Sequence, residues 1–152
     1  MRFADFRPGL ALKAGPRTVD AEEIVGFASR YDPQWFHIDP QRAAAGRWEG
    51  LIASGWHTCA ISMGLAVDAI LKDSESFGSP GVESLKWLEP LRPGDSVMLL
   101  VEVLESRRSA SGRTGIVRWR WDLKNQKGTV VLSMIATSLF DLGSATVREY
   151  PP

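Results

Sequence analysis

Ser54-Gly55-Trp56-His57-Thr58-Cys59-Ala60-Ile61-Ser62-Met63-Gly64-Leu65-Ala66-Val67-Asp68-Ala69-Ile70-Leu71-Lys72 (residues 54–72) is the stretch on which the fold turns. At helical spacing Trp56, Cys59, Ala60, Met63, Val67, Ile70 and Leu71 are its apolar positions, and Ile61, Leu65, Ala66 and Ala69 fall on its other faces. A helix this apolar all round must be buried on most sides. Fully helical it would run about 27 Å, so its cover must be extended. The second half of the chain supplies one. Strand patterns fall at Val82–Leu88, Ser96–Ser106, Thr114–Leu123 and Thr129–Phe140. Turns separate them at Pro90–Asp95, Ser106–Gly112 and Lys124–Gly128, and the turn-rich stretch Asp73–Gly81 precedes them. Alternation is cleanest where Val117, Trp119, Trp121 and Leu123 share one face while Arg118, Arg120 and Asp122 share the other. A strongly curved antiparallel sheet wrapped around a long central helix meets both burial demands, an α+β architecture. An open helix-on-sheet sandwich would leave the far side of the helix in need of another cover.

Upstream, Asp20-Ala21-Glu22-Glu23 resembles a capping box, with Asp20 as cap and Glu23 bonding back. Ile24, Phe27, Ala28 and Tyr31 follow at helical spacing, and Asp32-Pro33 ends that helix. Asp39-Pro40 opens a shorter one. Residues 1–13 carry a short strand interrupted by Pro8-Gly9. At 152 residues, without repeats or a long linker, the chain is expected to form one domain, residues 1–152. Lys plus Arg and Asp plus Glu each number 18, so nothing draws the chain as a whole to nucleic acid or an anionic membrane. The single cysteine, Cys59, allows no internal disulfide, no run is long enough to span a membrane, and the N-terminus lacks an apolar signal core. A soluble cytoplasmic protein is the expectation.

The two histidines are His37 and His57. In Tyr31-Asp32-Pro33-Gln34-Trp35-Phe36-His37-Ile38-Asp39-Pro40 a carboxylate and an imidazole stand five residues apart in a loop between helical pieces, beside the aromatic pair Trp35 and Phe36. Such a loop can aim Asp32 and His37 at one point while the aromatics keep water scarce, which suits proton transfer. On these residues alone a second reading stands beside it: Asp32 as a helix-ending turn residue and His37 as a structural histidine.

The segment resembles the signature of MaoC-like dehydratases and (R)-specific enoyl-CoA hydratases, an aromatic followed by Asp-x-Asn-Pro-x-His. Asp32 and His37 match its Asp and His, whereas Gln34 replaces Asn and Trp35 replaces Pro. That substitution puts bulk near the substrate, so substrate size is the property it touches most. Gly50-Leu51-Ile52-Ala53-Ser54-Gly55 is similar to the family's approach to its central helix, and Leu85 through Asp95 to its strand and Pro-Gly-Asp turn; the likeness covers about residues 20–140. The resemblance implies a hotdog fold and reversible hydration of a 2-enoyl-CoA thioester to the (R)-3-hydroxyacyl thioester. Asp32 and His37 would act as the catalytic pair, and the Gly55 N–H would hold the thioester carbonyl. It further implies no bound cofactor, coenzyme A arriving as part of the substrate, and at least a homodimer. An acyl-CoA thioesterase is the rival reaction, with Asp68 as its candidate carboxylate, and a non-catalytic acyl-CoA-binding protein is the other rival.

The remaining polar residues read as structural. His57 is expected as a hydrogen-bonded helix-end histidine, Cys59 as a small buried hydrophobe, and Asp95 as a turn residue. Arg118 and Arg120 belong to a solvated strand face. Ser62, the nearest serine in the central helix to a supporting role, stays outside the site, and no metal-ligand spacing is present.

Overall fold

The computed structural model describes residues 1–143. Within them the strands are β1 (Ala11–Thr18), β2 (Ser76–Trp87), β3 (Ser96–Arg108), β4 (Thr114–Lys124) and β5 (Val130–Asp141). They form a curved antiparallel sheet in the order β1-β3-β4-β5-β2. The helices are α1 (Ala21–Tyr31), α2 (Trp35–Ile38), α3 (Pro40–Ala44) and α4 (Gly55–Ala66), the last running into a π-helical turn, Val67–Leu71. Among the described residues no helix is long and apolar enough to cross a membrane.

The alternation in β4 decides which face of the sheet is the core. Val117, Trp119, Trp121 and Leu123 are buried, and the intervening Arg118, Arg120 and Asp122 are half-exposed. Arg120 and Arg118 pair with their register partners Glu102 and Glu105, and Arg118 also reaches Glu83 on β2, beyond β5. Against the inner face packs α4, through Ile61, Leu65 and Ala66, with Ile70 beyond its end. Residues 54–72 are therefore the central helix, as their composition implied.

Three local expectations change. The first strand begins at Ala11, not within residues 1–10, and runs to Thr18. Phe3–Asp5 instead make a helical turn that seats Phe6 edge-on against Trp119 at 5.5 Å. A register shift between Ala14 and Arg17 accommodates Pro16, whose missing N–H is tolerated at a sheet edge. Secondly, β2 starts at Ser76, so part of the turn-rich stretch is strand. Its pairing with β5 absorbs Gly78, Pro80 and Gly81 through three register irregularities, which an edge strand permits. Thirdly, three of the apolar positions of the central helix are not part of its buried side: among the described residues Trp56, Met63 and Val67 are 61%, 49% and 40% exposed.

Trp119 is fully buried, with Phe6, Trp121 and Phe140 around it. Trp119→Ala is expected to cost about 3–5 kcal/mol, read as a lower urea midpoint at unchanged slope.

Candidate active site

Helix α1 stops at Tyr31 because Asp32 precedes a proline and adopts φ −152°, ψ 67°. Its N–H still donates to Ala28 O at 2.8 Å, which anchors the carboxylate to the helix end. The segment expected as loop then makes one helical turn, α2, which carries His37 inward to 5% exposure. Asp39 caps α3 by accepting from Arg42 N–H, with Pro40 at its first position, as anticipated.

The structure brings the two predicted residues together: His37 Nε2 lies 3.3 Å from Asp32 Oδ2. On the far side of the ring, Nδ1 is 2.7 Å from Ile52 O. A carbonyl only accepts, so Nδ1 carries a hydrogen, and in the neutral ring Nε2 is the bare nitrogen facing the carboxylate. Asp32 is held by two donors, Ser54 Oγ to Oδ2 at 2.7 Å and Gln34 Nε2 to Oδ1 at 2.8 Å. Burial pushes the Asp32 carboxyl upward, but the bonds from Ser54 and Gln34 and the nearby His37 outweigh it and hold its pKa below the ordinary range.

Residues 51–54 are an extended buried segment clamped between α2 and the turn after β2. Ile52 N–H donates to Phe36 O and Ala53 N–H to Leu91 O. This delivers Ser54 to Asp32 and starts α4 at Gly55. Trp87 lies across that start: its Nε1 donates to Gly55 O at 2.9 Å, and a Cβ at residue 55 would stand 2.5 Å from Trp87 Cε2. Only glycine fits under the indole. Among the described residues no acceptor is recorded for the Gly55 N–H, which opens the helix at its positive end.

Asp32, His37 and Gly55 line one cavity of about 420 Å³, with Trp48, Trp56 and Trp87 as its large aromatic walls. A carboxylate, an imidazole and the start of a helix lining one cavity are groups that can move a proton and receive negative charge on an oxygen.

The MaoC like domain matches residues 5–122 of this chain. It belongs to the MaoC-like family. The YdeM protein of Bacillus subtilis is 30% identical to this MaoC-like chain over 84% of it and 89% of its own length. Another curated relative is matched over only 39% of its length. The MaoC-like dehydratase of Rhodospirillum rubrum superposes with a TM-score of 0.84 at 35% identity, covering 91% of this chain and 94% of that one. The (R)-hydratase of A. caviae superposes with a TM-score of 0.70 at 25% identity, covering 87% and 95%. The architecture is the hotdog fold.

Several residues of this MaoC-like site sit elsewhere than the sequence suggested. Trp35 does not narrow the cavity; its ring packs on Gly46 and under the Arg42 guanidinium at 4.8 Å. The aromatic bulk comes from Trp48, Trp56 and Trp87, which sequence spacing does not connect to Asp32. Ser54 was also missed, because its role depends on a contact 22 residues away in the chain. Glu23 does not bond back to Asp20. The Asp20 side chain caps α1 through the Glu23 N–H, while the Glu23 carboxylate reaches Arg17 at 2.6 Å and His57 Nε2 at 3.0 Å.

His57 points away from the dyad's cavity and stacks on Phe27 at 4.6 Å. Asp68, the carboxylate a thioesterase would need, lines that separate His57 cavity. Ser62 donates to Thr58 O within its own helix, and Asp95 accepts from the Arg92 N–H in the turn. Cys59 is half-buried, and burial pushes its thiol pKa up, against the activation a nucleophile needs.

Burial also pushes His57 below its ordinary value of 6.5, against the opposing pull of Glu23. The unfolded chain therefore binds this proton at higher pH than the folded one, and stability falls as pH drops below 6.5 towards the folded value. Urea midpoints at pH 7.5 and 5.5 are expected to differ in the native protein, and the gap to shrink in His57→Gln.

Proposed function

We propose that this protein is an enoyl-CoA hydratase, running in reverse as a 3-hydroxyacyl-CoA dehydratase, with Asp32 and His37 as the catalytic pair. The observation that carries this reading is the shared approach of Asp32 Oδ2 and His37 Nε2 inside a cavity that also contains the start of α4. The MaoC-like family membership and the likeness to an (R)-hydratase support it.

In this reading one water donates to Asp32 Oδ2 and His37 Nε2 together. Its oxygen adds at C3 of the enoyl thioester while one of its protons leaves. A proton returns to C2, so that water is added across the double bond with no redox change. Charge passes to the thioester oxygen as the enolate forms, and the Gly55 N–H meets it. Acid–base help of this kind is worth about 10²–10⁴-fold, and one carbonyl donor about 10²–10³-fold. The reaction needs no bound cofactor, coenzyme A enters with the substrate, and the product is the (R)-3-hydroxyacyl thioester.

The assembly is at least a homodimer. Two observations support it: β2 is a largely exposed edge strand, and α4 presents Trp56, Met63 and Val67 on a face that the described residues leave open. Trp56 and Trp87 touch at 5.3 Å, so the open helix face and the edge strand are continuous. Light scattering on an eluting size-exclusion peak is expected to give the mass of two chains; a single-chain mass would remove this part of the reading.

Activity is tested by the enoyl-thioester absorbance band, with crotonyl-CoA and longer, branched and dicarboxylic enoyl-CoAs. The native protein is expected to bleach the band without releasing thiol, and Asp32→Asn and His37→Ala each to slow this at least a hundredfold. Thiol release would make it a thioesterase, and tight acyl-CoA binding without turnover a binding protein.

A further inference from the structure

We propose that Ser54 is a positioning residue that holds the Asp32 carboxylate from the cap of helix α4, leaving His37 Nε2 as the atom that exchanges protons with the substrate water. This rests on the hydratase reading above, and it assigns the two members of the pair different roles.

The Ser54 side chain is fully buried, and both of its hydrogen-bonding functions are used. Its hydroxyl has one hydrogen, and because a carboxylate only accepts, that hydrogen goes to Asp32 Oδ2 at 2.7 Å. Its oxygen accepts the Trp56 N–H at 3.3 Å, and its carbonyl accepts from both Thr58 N and Thr58 Oγ1. An ordinary N-cap serine makes its best bond to the helix N–H. Here that bond is the longer one, and the short bond leaves the helix for the carboxylate. An N–H donating into the hydroxyl also makes its O–H a stronger donor.

Asp32 therefore enters the reaction with a fixed donor on each oxygen, Gln34 on Oδ1 and Ser54 on Oδ2. A proton placed on Oδ2 would turn the charge-assisted bond from Ser54 into a weaker bond to a neutral carboxyl, and the one from Gln34 likewise, so protonating Asp32 is costly. His37 meets no such obstacle. Ile52 O takes the Nδ1 hydrogen and leaves Nε2 bare, beside Asp32 Oδ2 in the cavity that both residues line. The water's proton passes to Nε2, its oxygen bonds to C3, and Nε2–H returns the proton to C2. The imidazolium formed midway lies 3.3 Å from an anion that stays an anion. Across the cavity the other ionisable group is Glu89, from the segment after β2.

The test reads the charge of Asp32 directly. Carboxyl ¹³C chemical shifts are followed against pH in the native protein and in Ser54→Ala, Ser54→Gly and Ser54→Thr. Glycine is a nearly adequate helix cap, so it separates the loss of the hydroxyl from the loss of the helix start. Hydrogen bonds to a charged group are strong enough that the Asp32 midpoint is expected to rise by about one pH unit in the Ala and Gly variants. The Thr variant is expected to recover it. For crotonyl-CoA, kcat is expected to fall about tenfold in the Ala and Gly variants with KM little changed. An Asp32 midpoint that stays put in both Ala and Gly variants overturns the proposal and leaves Ser54 a helix cap. If the native protein hydrates no enoyl-CoA, the hydratase reading fails by itself, whereas the carboxyl titration still decides whether Ser54 holds the anion.

Discussion

Residues 51–54 are pinned from two sides, and the geometry of the site follows from that pinning. Ile52 gives its N–H to Phe36 O and takes the His37 ring at its own carbonyl, so one residue sets both the position and the tautomer of the imidazole. Ala53 is tied to Leu91 in the turn after β2, and Ser54 to Asp32 at the end of α1. Backbone polar groups buried this deeply must find partners, and the partners available are the elements that carry the functional side chains. The segment gives α1, α2 and α4 a common reference point, beside the direct contact of α1 with α4 at Phe27, Glu23 and His57.

The pair of ionisable groups is asymmetric in its surroundings. Asp32 keeps some exposure and gains two fixed donors, which offset the cost of its partial burial. His37 is almost wholly buried and spends one nitrogen on a neutral carbonyl. The neighbouring His57 is arranged in the opposite sense: its Nε2 faces Glu23 and its Nδ1 is buried with no partner among the described residues. Two histidines on adjoining elements thus have distinct chemistry, one opening into the tryptophan-walled cavity and the other locked against α1.

Much of this was legible in the chain. The alternation of Val117, Trp119, Trp121 and Leu123 against Arg118, Arg120 and Asp122 defined the inner face of the sheet, because a strand period of two is a local property. The apolar saturation of residues 54–72 required a central helix, and Asp32-Pro33 and Asp39-Pro40 marked the breaks that bring Asp32 and His37 close. Glu23 misled for an instructive reason. Its position suits a capping box, but Arg17 and the buried His57 compete for the same carboxylate, and a charged or buried partner outweighs a backbone N–H at an exposed helix end.

By itself, then, the sequence determined the α+β architecture, since periodicity and breakers are carried by neighbours along the chain, and the likeness of residues 31–40 to the MaoC-like signature pointed to the family and to Asp32 and His37. Tertiary structure alone decided that Trp35 turns away to Gly46 and Arg42, that Trp87 covers Gly55, and that Ser54 joins Asp32 to the helix start. Each of these is a contact between residues brought together by strand register or by helix docking. Side-chain direction at such a contact depends on what packs opposite, and that information is absent from any local stretch of sequence.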